Sequence, residues 1–148
     1  MRSKTTPDDK RFHLEFIQGV INRLSSNTFL FKGWSVTIIG AVFTAMITTR
    51  NNDLLWLILG IVLIFWAIDA YYLMLERGYR KLYKQVAETS SEKVDYGMNI
   101  GQFIKFSTWL EAFRRPVLLL FYGIVLIVVV GIIINNNFDI SLLIKIRN

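Results

Sequence analysis

A chain of 148 residues has the length of one soluble domain, yet 53% of it is apolar and its mean hydropathy is +0.43. The absence of cysteine excludes disulfides, thiol nucleophiles and zinc–thiolate sites. The net charge of +6 points toward anionic partners such as phosphates.

The apolar residues are not spread with a period; they form three blocks separated by polar sequence. Residues 1–5 carry no ordering signal. TPDD (Thr6–Asp9) then reads as a helix start, with Thr6 as the cap, Pro7 in the first position and two carboxylates at the positive helix end. The following segment places Phe12, Phe16, Ile17, Val20, Ile21 and Leu24 on one side and Arg11, Glu15 and Arg23 on the other. This pattern predicts an amphipathic helix on a membrane surface or against a partner helix. Ser25, Ser26 and Asn27 are expected to end or bend it. The first apolar block is too long for the core of a cleaved signal, so no signal peptide is expected.

A hydrocarbon core of roughly 30 Å needs about 20 helical residues. Gly33–Thr49 has no charge over 17 residues and follows Phe29, Leu30 and Phe31. Leu54–Leu75 runs 22 residues with Asp69 its single charge, and Pro116–Ile134 has none. Three spans are expected. The second block has no breaker at its inner end. ERGYRKLYKQVAE (Glu76–Glu88) keeps helical spacing with Gly78 its one weak point, so one helix from about residue 53 to residue 88 is expected. It would project about 20 Å beyond the span at 1.5 Å per residue. A polar linker follows, then a second amphipathic helix over Ile100–Arg115 bearing Phe103, Ile104, Leu110 and Phe113 on its apolar side.

The fold class that results is an all-α integral membrane protein, with three transmembrane helices plus two cytoplasmic amphipathic helices. Its expected parts are an N-terminal amphipathic helix (1–29), a transmembrane hairpin (30–75), a basic helical region (76–115), a third transmembrane helix (116–135) and a short extracytoplasmic tail (136–148). Fourteen Lys and Arg fall before the first span or between the second and third. Three (Arg50, Lys145 and Arg147) fall elsewhere. Basic loops stay in the cytoplasm. The N-terminus and central region are therefore expected inside and the C-terminus outside, in a bacterial inner membrane.

Three constellations are candidates for function. Lys32 and Asp69 fall at one depth when equal lengths are counted from a turn near Asn51. They form either an intramembrane ion pair, structural or gating, or two side chains snorkelling separately. Arg77, Arg80, Lys81 and Lys84, at offsets of 0, 3, 4 and 7, share one helix face, with Tyr79 and Tyr83 close by. Such a face suits anionic lipid headgroups, or an oligonucleotide whose bases stack on the tyrosines. Thr37, Gly40, Ala41, Thr44 and Thr48 form a stripe of small and weakly polar residues on the first span. It reads as a close helix-packing seam, or as the lining of a pore that needs several subunits. Trp34, Trp56, Trp66, Tyr71 and Tyr72 read as interfacial anchors. Asp69, Glu76 and His13 have no catalytic spacing and no glycine loop cradles phosphate, so no enzyme, cofactor or metal site is expected.

FIQGVINRLSSNTFLFKGWSV (Phe16–Val36) and FWAIDAYYLMLERGYRKLY (Phe65–Tyr83) resemble small bacterial inner-membrane proteins associated with phage defence, membrane effectors of the Hailong channel type. The similarity covers about the first 85 residues; beyond them only a third span in a compatible place agrees. The resemblance implies a homo-oligomeric ion channel that depolarises the cell, controlled by a short oligonucleotide from a partner nucleotidyltransferase. Ligand contacts would then fall on the cytoplasmic basic residues. The alternative function is a membrane anchor or adaptor that recruits a soluble partner and forms no pore.

Overall fold

The computed structural model describes the backbone of residues 6–147 and the side chains through residue 135. The ordering of residues 1–5 and the side chains of Lys145 and Arg147 lie outside the described residues. Four α-helices follow one another: α1 (Pro7–Thr49), α2 (Leu54–Glu88), α3 (Phe106–Phe113) and α4 (Pro116–Arg147). Single 3₁₀ turns at Ser91–Lys93 and Gly101–Phe103 interrupt the connection between α2 and α3. Three helices, α1, α2 and α4 as far as Asn135, are long and apolar enough to cross a membrane.

α1 begins as its sequence dictates. The Thr6 N–H and hydroxyl both donate to Asp9 Oδ2 at 2.8 Å, and the Asp9 N–H donates back to Thr6 Oγ1 at 3.3 Å. These bonds, the backbone one first, hold the Asp9 carboxyl below its ordinary value. The helix does not end at Ser25–Asn27: it runs through to Thr49. Three residues of modest helix propensity cost about half a kcal/mol each, too little to break a helix anchored by buried residues at Ile17 and Ile21 on one side and Ser35 on the other. α1 ends at Arg50, which takes a left-handed conformation (φ 52°), and Asn51 Oδ1 accepts the Asp53 N–H at 3.0 Å to start α2. α2 is unbroken over Leu54–Glu88, close to the expected range.

The expected helix over Ile100–Arg115 is shorter. Ile104 is extended (ψ 111°), and α3 starts only at Phe106. Thr108 explains the start: its Oγ1 accepts the Lys105 N–H at 2.9 Å and its hydroxyl donates to the Lys105 carbonyl at 2.7 Å. That satisfies an orphan donor at the helix end. α4 starts at Pro116 as expected, but its helical backbone continues to Arg147 through the segment read as a tail.

The chain divides into two compact units: Met1–Leu30 with Asp69–Phe113, and Phe31–Ile68 with Arg114–Asn148. In the first, Ile17 and Ile21 of α1 pack with Leu82 and Val86 of α2 and with Ile100. Gly78 has a reason here: a Cβ at that position would lie 3.3 Å from Ile100 Cδ1 and 3.6 Å from Ile104 Cγ1. The missing side chain lets the connection pack against the helix. The apolar side expected of early α1 is divided between burial and exposure. Ile17 and Ile21 are buried together with His13, whereas Phe12 and Phe16 are exposed.

In the second unit Leu55, Ile58, Val62 and Trp66 form the buried stripe of α2, and Leu118, Tyr122 and Val129 that of α4. Trp66 stacks on Tyr122 with ring centroids 6.0 Å apart. It is therefore a core residue rather than an interfacial anchor, unlike the exposed Trp34 and Trp56. Many large apolar side chains of this unit are exposed, among them Ile47, Ile64, Ile124, Ile127 and Ile134. Exposed apolar surface of this extent requires a non-aqueous surround or a partner.

Candidate ligand and pore surfaces

The basic face lies on α2 as its spacing requires, but the charges are not left to repel one another. Arg80 places Nη2 2.8 Å and Nε 2.9 Å from Glu76 Oε1, a carboxylate that is itself largely buried. Lys84 lies 3.8 Å from Glu88, both well exposed, and such a pair contributes little. The Lys81 ammonium sits 6.0 Å from the centre of the Phe103 ring. Arg77 is half-buried. Arg80 and Lys84 thus each have a carboxylate one turn away. Tyr79 and Tyr83 are partly buried against the Ile17–Ile21–Leu82 cluster, so packing claims much of the ring surface that stacking on bases would need.

Beside this face lies a feature that charge spacing did not reveal. A cavity of about 110 Å³ is lined by Gln85 of α2 and by Thr89, Lys93, Asp95, Asn99 and Gln102 of the connection. Gln102 Nε2 donates to Gln85 Oε1 at 3.2 Å. Two turns of one type shape the cavity wall. Asp95 Oδ1 accepts the Gly97 N–H at 3.0 Å, and Asn99 Oδ1 accepts the Gly101 N–H at 2.8 Å. The sequence carried the signal: DYG and NIG, four residues apart, are paired Asx turns.

The five members of the α1 stripe, Thr37, Gly40, Ala41, Thr44 and Thr48, are all exposed. A Cβ added at Gly40 would meet nothing within 4 Å. Thr37, Thr44 and Thr48 each donate their hydroxyl to the carbonyl four residues back, at 3.0, 2.9 and 2.9 Å. Their protons are thus used within the helix, and the oxygen lone pairs remain as acceptors. The stripe is not a seam within the single chain.

Asp69 is fully buried and Lys32 half-buried. His13 is also buried, edge-on to Tyr96 at 5.1 Å. Its Nε2 has no hydrogen-bond partner among the described residues. Burial lowers its pKa from the ordinary 6.5, opposed by the negative charge of Asp95. No group of three or more His, Asp or Glu side chains is arranged to hold a metal ion among the described residues. Comparison with protein-family models, with curated proteins and with solved structures found no match to this chain.

Proposed function

We propose that the protein is a multi-pass inner-membrane channel formed by several copies of the chain and controlled at its cytoplasmic basic region by a nucleotide or oligonucleotide. The observation that carries this reading is the α1 stripe, exposed along its whole length and bearing three threonine hydroxyls. A row of oxygen acceptors across an apolar span suits a hydrated cation path once copies assemble around it. The orientation rests on the distribution of Lys and Arg, which keeps α2 beyond Leu75 in the cytoplasm. There Arg77, Arg80, Lys81 and Lys84 offer phosphate contacts, and the amides of Gln85, Asn99 and Gln102 suit a base edge. The resemblance to Hailong-type effectors supplies the setting, defence against phage.

The exposed Phe12 and Phe16 favour the second reading, an anchor that docks a soluble partner without a pore. Flux from liposomes loaded with a cation-sensitive dye separates the two. The channel requires protein-dependent cation flux that short oligonucleotides alter. It also requires that replacing Arg77, Arg80, Lys81 and Lys84 by Gln removes the oligonucleotide's effect. Silent liposomes, with and without oligonucleotide, support the anchor.

A further inference from the structure

We infer that the groove between α2 and the start of α3 holds an anionic glycerophospholipid of the surrounding bilayer, with its phosphate on Lys105 and an acyl chain along the aromatic floor. The inference rests on the membrane reading above. The groove measures about 440 Å³ and is lined by Tyr71, Met74, Ile104, Lys105, Phe106 and Trp109. Its lining is mostly apolar, and Tyr71 and Lys105 are its residues with polar side chains.

Three observations choose the occupant. The first is an aromatic ladder: Phe106 lies 5.6 Å from Trp109, which lies 5.5 Å from Phe113, measured between ring centres. Phe106 nonetheless stays 77% exposed. A soluble protein would bury that edge, whereas such rings favour the boundary of hydrocarbon and headgroups. The second is charge. Lys105 uses its backbone N–H to cap α3 through Thr108, and its ammonium makes no salt bridge among the described residues. An exposed lysine without a salt bridge among the described residues, lining a mostly apolar groove, matches an amphiphile with an anionic head. The third is depth. Tyr71 and Met74 close the apolar stretch Leu54–Leu75, so the groove falls at the inner end of the second span. Phosphates and acyl chains meet at that level.

The test uses the full chain in phosphatidylcholine liposomes containing increasing fractions of lipid brominated on the acyl chain. The brominated lipid is phosphatidylglycerol in one series and phosphatidylcholine in the other. Subtracting the signal of Trp109→Phe, which keeps a ring in the ladder, isolates quenching of Trp109. Half-quenching should need about fivefold less brominated phosphatidylglycerol than phosphatidylcholine, the preference expected of one basic side chain at the headgroups. Lys105→Gln should erase the preference while leaving quenching by phosphatidylcholine, and Lys105→Arg should keep it. Equal quenching by both lipids in the unmodified chain, or a preference that survives Lys105→Gln, overturns the proposal. Trp109 unquenched by either lipid while Trp34 and Trp56 are quenched overturns it too, leaving the membrane reading intact. If no tryptophan is quenched, the membrane reading itself fails.

Discussion

Lys10 joins the start of α1 to the end of α2: its ammonium donates to the Ala87 carbonyl at 2.9 Å and to the Thr89 carbonyl at 2.8 Å. The last carbonyls of a helix have no intrahelical donor, and a cation there also meets the negative end of the helix dipole. One side chain answers both needs across 77 and 79 residues of sequence.

Lys10→Gln should therefore destabilise the first unit. The contact is partly exposed, so a loss of about 1 kcal/mol is expected, at the low end for hydrogen bonds from a charged group. For a chain of this size that lowers the unfolding midpoint by about 3 °C. Arg11→Gln is the matched control, because Arg11 meets only Glu15 in an exposed pair at 3.5 Å. Its midpoint should stay within about 1 °C of the parent. Thermal melts of the purified protein in one detergent give both numbers, and equal shifts would remove the special role of Lys10.

His13 makes the same unit sensitive to mild acid. Burial depresses its pKa below the ordinary 6.5, so the unfolded chain binds the proton more readily than the folded one. The stability contributed by neutral His13 is complete above the unfolded value and is lost as pH falls below 6.5 and through the folded value. Asp9 is also depressed, from 3.8, so its stabilising cap weakens only in stronger acid and in a separate window. The unfolding midpoint of the parent should fall between pH 7.5 and pH 5. His13→Phe keeps a ring against Tyr96 and should flatten that slope. A slope unchanged by the substitution would assign the sensitivity elsewhere.

Much of the helical layout was legible because it follows from unbroken apolar length and from one strong start signal. The three long helices, the Thr6–Asp9 cap, the continuous α2 and the start of α4 at Pro116 are of this kind. The differences share a cause: local propensity yields where packing decides. Ser25–Asn27 looks like a break but carries no proline and no left-handed residue, and buried residues on both sides outweigh weak propensity. Trp66 sits near a span end, where tryptophan often meets headgroups, yet α2 turns it onto Tyr122. Phe12 and Phe16 share a helix face with Ile17 and Ile21 in outline, but the buried stripe runs His13–Ile17–Ile21, one position around. At the candidate site, helical offsets placed Arg77, Arg80, Lys81 and Lys84 together. They gave no account of Glu76 and Glu88 as partners of Arg80 and Lys84, although both lie one turn away. Long-range contacts such as Lys10 with Ala87 leave no periodic trace.

The turn after α1 offers a stabilising change. Arg50 has φ 52°, a conformation in which an L side chain crowds the following carbonyl at a cost of roughly 1–2 kcal/mol. Glycine is the usual residue in this position after a helix. Arg50→Gly should recover part of that cost, offset by glycine's greater freedom in the unfolded chain, for a net gain of about 0.5 kcal/mol. Arg50→Val, branched at Cβ, should lose at least about 1 kcal/mol. Detergent melts in which the two variants move the midpoint in the same direction would contradict the left-handed assignment.

The most consequential prediction concerns Thr44. It lies in the middle of the exposed stripe, within the uncharged stretch Gly33–Thr49, where in a spanning helix neither membrane surface would supply water. Its hydroxyl proton is held by the Gly40 carbonyl at 2.9 Å, so the oxygen keeps its lone pairs as acceptors on an exposed side chain. In a pore, these oxygens from several copies would replace part of a cation's hydration. Thr44→Phe should then abolish cation flux from liposomes while the oligomer keeps its size on gel filtration in detergent. Thr44→Val keeps the shape and removes the oxygens, and should reduce cation flux without closing the path to water. Thr44→Cys should react with a water-soluble thiol reagent in conducting channels, with no background because the chain has no native cysteine. A packing seam between copies predicts the reverse of each result. There Phe at this position breaks the oligomer, Val is tolerated, and the cysteine is protected from the reagent. An unreactive Thr44→Cys together with an oligomer dispersed by Thr44→Phe would make the stripe an assembly surface and move the search for a pore to α2 or α4.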